Sequence, residues 1–164
     1  QDLYEEIGQY LPNLKEQGIL VKYNDSAVSL ATLYHIRGNL EELVGQKVWL
    51  ASGANIIIET LETLTVVDVN SGKNQSKKEE TLFAVNMEAA REILRQIRLR
   101  NISGMIIIDF INMKSKEQQE ALIQFVKQEL KKDHVPASFI DITKLGLMEL
   151  TRKKVYKSLR EILK

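Results

Sequence analysis

The sequence contains no cysteine, which excludes a disulfide framework and a thiolate zinc site within its 164 residues. It also has almost no excess charge, because 23 basic and 22 acidic side chains leave a formal net charge of +1. Any surface for nucleic acid must therefore be local rather than a property of the whole chain. No apolar run approaches the roughly 20 residues that cross a bilayer. These absences are compatible with a cytoplasmic protein, and we predict that location.

The chain begins with Gln1-Asp-Leu-Tyr, which has neither an initiator methionine nor the charged-then-apolar order of a signal peptide. We therefore expect an internal fragment of a longer protein. A composition of 44% hydrophobic and 27% charged residues suits one globular domain, or one domain with a partial neighbour. Residues 1–46 have no obvious core partner of their own, and their patterns predict a helix, a strand and a second helix: Asp2–Leu11, Ile19–Tyr23 and Ser26–Val44.

Residues 47–164 show an α/β pattern with a central mixed sheet and flanking helices. Three apolar runs separated by turn residues predict adjacent antiparallel strands: Lys47–Ala51, Asn55–Glu59 and Leu64–Val69. An amphipathic helix, Glu79–Arg100, precedes Gly104–Ile111, an apolar run typical of a strand buried on both faces. The remaining predicted elements are a helix capped by Ser115, a strand at Ala137–Ile142, a short strand at Leu147–Leu150 and a basic helix at Thr151–Lys164.

Two aspartates follow apolar runs at the ends of predicted strands. Asp68 follows Leu64-Thr-Val-Val, and Asp109 follows Met105-Ile-Ile-Ile. A carboxylate at such a position costs several kcal/mol to bury unless something compensates it, and a divalent cation is a natural compensator. Hard cations such as Mg²⁺ prefer one or two carboxylates together with water and phosphate oxygens. The alternative is that each aspartate caps a helix or accepts hydrogen bonds in a turn, and Asn70 is first of all a turn former.

Five segments, in this order along the chain, resemble motifs of the ribonuclease E/G family. They are Lys47–Gly53, Leu64–Lys73, Asn86–Gly104, Met105–Met113 and Leu145–Lys153. The resemblance covers residue 47 to the C-terminus, with weaker similarity before it. It implies that residues 47–164 form a DNase I-like catalytic subdomain. Residues 1–46 would then be part of an RNase H-like subdomain.

The same resemblance implies a magnesium-dependent endoribonuclease that cleaves single-stranded, AU-rich RNA and leaves 5′-phosphate and 3′-hydroxyl ends. Asp68 and Asp109 would hold the Mg²⁺ ion, with Mn²⁺ able to substitute, and Asn70 would support the catalytic site. The resemblance also implies that the full-length protein forms homo-oligomers. One departure is Asn112, which stands where the family motif has an aspartate. The family's Cys-Pro-x-Cys zinc link and its oligonucleotide-binding and 5′-end-sensing modules are absent from these residues.

Basic residues near these motifs are candidates for RNA phosphate contacts, with Lys73, Arg95 and Arg98 as the main ones. The alternative is a solvated helix face in which arginines pair with Glu88 and Glu92. The basic run from Arg152 to Arg160 reads as a solvated helix, and no aromatic pair at suitable spacing predicts a base-stacking platform.

Three functional classes compete at this point. The first is the metal-dependent endoribonuclease, and the second is a non-catalytic fragment that serves as an assembly surface or RNA scaffold. The third, a DNA-cutting nuclease of similar fold, is disfavoured because it would normally use a catalytic histidine, whereas His134 lies in a turn beside Pro136 and His35 is isolated. We expect the isolated chain to cleave RNA poorly, because the modules that position the strand in relatives are missing.

Overall fold

The structure is a computed structural model that describes Glu5, Ile7, Lys22, Tyr23 and residues 25–72 and 79–163. The chain divides into two compact units, residues 1–42 and 43–164. The predicted helix Asp2–Leu11 and strand Ile19–Tyr23 lie almost entirely outside the described residues, and Lys22 and Tyr23 have no regular structure. The predicted helix Ser26–Val44 is two helices, α1 (Leu30–Leu33) and α2 (Ile36–Val44).

In the described residues, the second unit is built on a six-stranded mixed sheet, as the pattern predicted. Its strand order is β1-β2-β3-β4-β6-β5, and β3 and β4 are its parallel neighbours while the other pairs are antiparallel. The elements in chain order are β1 (Lys47–Trp49), β2 (Asn55–Thr60), β3 (Leu64–Asn70), α3 (Glu79–Leu99), β4 (Gly104–Asp109), α4 (Lys116–Leu130), β5 (Ala137–Ile142), β6 (Met148–Arg152) and α5 (Leu159–Ile162).

The hydrophobic core lies between one face of the sheet and helices α3 and α4. Alternate residues of β3, including Val67 and Val69, point into this core together with Ile106 and Ile108 of β4. Helix α3 contributes an apolar stripe that includes Ile93 and Ile97, and α4 contributes residues such as Val126. Ser115 caps α4 as predicted, since its hydroxyl accepts a hydrogen bond of 3.2 Å from the backbone N–H of Gln118.

Two predictions for this unit are wrong. Strand β4 is buried on one face only, because Ile106 and Ile108 are inside while Met105 is 55% exposed. The predicted helix Thr151–Lys164 begins as strand: Thr151 and Arg152 belong to β6, and helix appears only at α5. Arg152 is almost fully buried and forms an ion pair with Asp133, so the start of the basic run is a core element rather than a solvated helix face.

Candidate functional site

Asp68 and Asp109 occupy the same position on neighbouring parallel strands. They are direct register partners, at the C-terminal part of β3 and the last residue of β4. Neighbouring strands lie about 4.8 Å apart, and residues paired across two strands point to the same face of the sheet. The structure therefore brings together the two aspartates that the sequence singled out, with both side chains on one face.

This face is the one opposite the helices. The buried residues Val67 and Val69 alternate with Asp68, so Asp68 points away from the core formed by α3 and α4. Asp68 is partly buried and Asp109 is exposed. We call the sheet surface formed by the side chains that point to the same side as Asp68 the open face. In the described part of the chain, the two neighbouring carboxylates on the open face are accessible to a ligand.

Asn70 fixes the orientation of Asp68. Its side-chain amide donates a hydrogen bond of 2.7 Å to the Oδ2 atom of Asp68, two residues earlier on the same side of β3. The bond sets the plane of the carboxylate and does not involve its other oxygen atom, Oδ1. Asn70 is therefore a positioning residue for Asp68 in this geometry.

No cation compensates the two carboxylates among the described residues. No described lysine, arginine or histidine lies within salt-bridge distance of Asp68 or Asp109, and no group of three or more acidic, histidine or cysteine side chains in that part of the chain is arranged to hold a metal. A site of two hard oxygen donors fits Mg²⁺, which is commonly bound through one or two carboxylates and completes its shell with water and substrate phosphate oxygens. It does not fit zinc, which prefers nitrogen and sulfur ligands.

The strand end that carries Asp109 is anchored by a buried asparagine whose own role the sequence reasoning did not assign. Asn86 on α3 is fully buried, and its amide donates to the Ile111 carbonyl at 2.7 Å. The Asn86 carbonyl oxygen in turn accepts from the Ile111 N–H at 3.0 Å. These two bonds satisfy the backbone of the chain two residues after Asp109 and tie it to the helix layer. The available signal in the sequence was an asparagine next to the apolar residues of the amphipathic helix, such as Val85 and Ala89.

The turn between β1 and β2 lies close to the end of β3. A side-chain carbon added to Gly72 would lie 2.7 Å from the carbonyl oxygen of Gly53, and Gly72 has a φ of +78°. Glycine is therefore required at position 72 both by its conformation and by the close approach of the two backbones. This contact places the turn after Trp49 beside the segment that follows Asn70.

The predicted phosphate contacts are not gathered at the aspartates. Lys73 lies outside the described residues. Arg95 and Arg98 are on α3, in the layer that covers the opposite face of the sheet. Arg95 forms a two-bond ion pair with Glu92, at 2.8 Å for each nitrogen–oxygen distance. Although partial burial raises the pKa of Glu92, its hydrogen bonds to Arg95 and Gln96 hold it below the usual range.

Asn112, the departure from the family motif, is exposed just beyond Asp109. It lines a cavity of about 220 Å³ together with Phe110, Met113 and Met148. The cavity is mainly apolar and lies next to the strand end rather than between the two aspartates. Asn112 is three residues beyond Asp109, so it is not one of the register-paired carboxylate positions.

Comparisons with known proteins identify the family of the chain. The sequence model of the Ribonuclease E/G family matches residues 1–155. The chain is 37% identical over 164 residues to Ribonuclease E of a Nostoc species, covering 96% of the chain and 24% of that protein. It is 40% identical over 148 residues to Ribonuclease E of a Synechocystis species, covering 89% and 22%. It is 32% identical over 163 residues to Ribonuclease G of Escherichia coli, covering 98% and 33%.

The chain belongs to the ribonuclease E/G family, a family of RNA-cleaving hydrolases. It spans between 22% and 33% of the length of these three relatives. Among the described residues, no helix is both long enough and apolar enough to cross a bilayer.

Proposed function

We propose that this chain carries the metal-binding catalytic centre of an endoribonuclease. The observation that carries the proposal is the register pairing of Asp68 with Asp109 on one sheet face, with Asn70 bonded to Asp68. The two carboxylates would hold one Mg²⁺ ion, or Mn²⁺ in its place. The DNase I-like character of residues 47–164, and the RNase H-like character of residues 1–46, belong to the same proposal.

In this mechanism the chain supplies a fixed pair of negative oxygens beside the scissile phosphate. A bound Mg²⁺ ion would polarise the phosphate, favour hydroxide formation from water and neutralise charge on the leaving oxygen. Asp68 and Asp109 set the position of that charge, because each is held by a strand rather than by a loop. Asn70 keeps Asp68 in one orientation, and Asn86 anchors the backbone that follows Asp109. Such fixed geometry matters because small misplacements of reacting groups cost orders of magnitude in rate.

The substrate is proposed to be single-stranded, AU-rich RNA, cut to 5′-phosphate and 3′-hydroxyl ends. Phosphate contacts by Lys73, Arg95 and Arg98 stay predictions, as do a cytoplasmic location and homo-oligomers of the full-length protein. Arg95 would have to leave its ion pair with Glu92 to bind a phosphate. That cost makes Arg98 a better candidate than Arg95.

Metal binding can be tested apart from activity by thermal unfolding of the chain with millimolar Mn²⁺ or Mg²⁺. A ligand at ten times its Kd stabilises the folded state by about 1.4 kcal/mol, which is roughly 3–6 °C in Tm for a chain of this size. We expect that shift in the wild type and its loss in Asp68→Asn and Asp109→Asn. Asp141→Asn is the matched control, because Asp141 is an exposed acidic residue on the far edge strand β5.

The result that contradicts the metal site is an equal Tm shift in all four proteins, or none in the wild type. A cleavage assay separates the catalytic function from the scaffold alternative. We expect slow cleavage of an AU-rich oligonucleotide by the wild-type chain, and none by Asp68→Asn. Equal cleavage by both proteins would contradict the assigned centre, while metal binding without any cleavage would favour a scaffold.

A further inference from the structure

We propose that Trp49, together with Lys47, forms a stacking platform for a base of the single-stranded RNA next to the aspartate pair. The inference rests on the proposed function and adds a substrate-positioning residue to it. Trp49 is the single tryptophan of the chain and is 66% exposed, in a strand of a well-formed sheet. Its exposure cannot be assigned to a loop tip or to a chain terminus.

The pairing of the strands places Trp49 on the open face with Asp68 and Asp109. Lys47 pairs with Ile57, Ile57 pairs with Asp68, and Asp68 pairs with Asp109. These four residues form one row across four strands, and paired residues share a face. Trp49 is two residues after Lys47 and therefore points the same way. With strands about 4.8 Å apart, β1 lies roughly 10 Å from β3, a distance that a short stretch of single strand can span.

Trp49 also belongs to the row beside the aspartates. It pairs with Asn55, which pairs with Asn70, the residue bonded to Asp68. The indole ring is thus aligned with the positioning residue of the site, two strands away. In the part of the chain that the structure describes, β1 is an edge strand, and no strand lies on the outer side of Trp49.

The ring is paired with a cation that suits an RNA ligand. The Lys47 ammonium lies 4.1 Å from the centroid of the Trp49 ring. This contact covers one face of the ring and holds the ring in one orientation, so a base would stack on the other face with a positive charge close by. A base stacked on an aromatic ring, with a lysine or arginine beside the backbone, is a general way to hold single strands without reading their sequence.

The charges of the open face favour a path of the RNA from the aspartates toward Trp49. The row on the other side of the aspartates contains Glu59 and Glu149, which pair with Val66 and Ile107, and Asp141 pairs with Glu149. These carboxylates, including Glu59 on β2, repel a phosphate backbone, whereas the row on the opposite side of the aspartates contains Trp49, with Lys47 beside its ring. An RNA strand leaving the aspartates therefore meets like charge in one direction, and a cation with an exposed aromatic ring in the other.

The single tryptophan makes the proposal measurable through its own fluorescence. The probe is a short oligonucleotide of A and U, added in EDTA so that neither metal binding nor cleavage contributes. We expect saturable quenching of Trp49 fluorescence, and a Kd weakened by about 5- to 150-fold for a matched abasic oligonucleotide. Trp49→Ala should weaken binding of a labelled oligonucleotide by the same factor, and Trp49→Tyr should retain most of the affinity.

Tyr156→Ala is the control, because Tyr156 is exposed to a similar extent, 64%, outside the sheet. Asp68→Asn should bind the oligonucleotide in EDTA at least as well as the wild type. If it loses the Mn²⁺-induced rise in Tm while Trp49→Ala keeps it, the platform and the metal centre are tested separately.

Three results would overturn the platform: equal affinity of Trp49→Ala and Tyr156→Ala, equal affinity for intact and abasic oligonucleotides, or a Trp49 signal that changes with protein concentration alone. The third result would show that a second copy of the chain covers Trp49. Neither of the first two would affect the assignment of Asp68 and Asp109, which depends on the metal experiment.

Discussion

Replacing Arg152 by methionine should destabilise the chain more than any surface change on the basic C-terminal run. The Arg152 side chain is 1% exposed and that of Asp133 is 3% exposed. The guanidinium donates to Asp133 at 2.8 and 3.3 Å, and also to Asn101 Oδ1 at 2.7 Å and the Ile102 carbonyl at 3.0 Å. Arg152→Met removes all four bonds and leaves a buried carboxylate without its cation.

The expected loss is about 3–5 kcal/mol, the usual cost of removing one partner from a buried ion pair. That is a large part of the roughly 5–15 kcal/mol that stabilise a typical domain, and it corresponds to a drop in Tm of roughly 6–20 °C. Arg152→Met combined with Asp133→Asn should recover part of the loss, because the uncompensated charge is then gone while the bond to the Val135 N–H can persist. Lys153→Met, an exposed neighbour, is the control and should change stability by less than about 0.5 kcal/mol.

The pH dependence provides a second readout. Burial alone would raise the pKa of Asp133. The hydrogen bonds from Arg152 and Val135 together outweigh this effect, so the folded-state pKa of Asp133 is below the usual value. A depressed folded pKa gives stability that is present above the unfolded pKa of about 3.9 and is lost as the pH falls through the folded value. In Arg152→Met the burial of Asp133 is opposed only by the Val135 N–H bond and by His134, whose Nδ1 atom lies 3.7 Å from Asp133 Oδ1. The stability gap between the two proteins should therefore narrow as the pH falls from the pKa of Asp133 in Arg152→Met towards its lower pKa in the wild type.

Urea unfolding followed by far-UV circular dichroism at pH 7, 4.5 and 3.5 measures these quantities, provided that the m-value is unchanged. A loss below about 1 kcal/mol at pH 7 would refute the reasoning, since that is the range of exposed ion pairs. A gap that stays constant across the three pH values would show that the charge of Asp133 is not the cause.

Three further predictions concern other contacts. Asn86→Leu should cost about 1–3 kcal/mol for each Ile111 backbone group left unpaired and should speed amide exchange at Ile111; unchanged exchange would contradict the anchoring role. Gly72→Ala should destabilise more than Gly53→Ala in thermal unfolding, because both have positive φ but only the carbon added at Gly72 meets the opposing backbone; equal losses would show that the close approach is relieved. Ser115→Ala should cost about 1 kcal/mol by urea unfolding and Ser115→Asp much less, and equal losses would exclude the cap.

Local patterns predicted much of the sheet and both long helices. Strands β1 to β3 could be placed because short apolar runs between turn residues have few other solutions, and their antiparallel order follows from the short connections. The pairing of Asp68 with Asp109 depended on more than pattern. Two strands separated by a long helix are expected to be parallel neighbours, which places the two strand ends on one edge.

Features that depend on distant partners were missed. The isoleucine run of β4 is compatible with burial on one face or on both, and nothing within a window of ten residues tells whether helices cover the second face. Arg152 stands beside two lysines in the sequence, yet its partner Asp133 is 19 residues earlier and meets it only because the edge of the sheet folds back through β5 and β6. The alternation of Trp49 with Val48 on a three-residue strand was a local signal that Trp49 points away from the core. Its alignment with Asn55 and Asn70 could be seen only once the strand register was known.

The two aspartates are held by different layers of the fold. Asp68 is oriented from the open face by Asn70, through a side-chain bond within its own strand. The chain after Asp109 is fixed from the opposite side of the sheet, where Asn86 on α3 bonds to both backbone groups of Ile111. A disturbance of the helix layer should therefore reach Asp109 before it reaches Asp68. The proposed centre would then lose its geometry through one carboxylate, so metal affinity should respond to Asn86 variants even though Asn86 lies in the core and contacts no ligand.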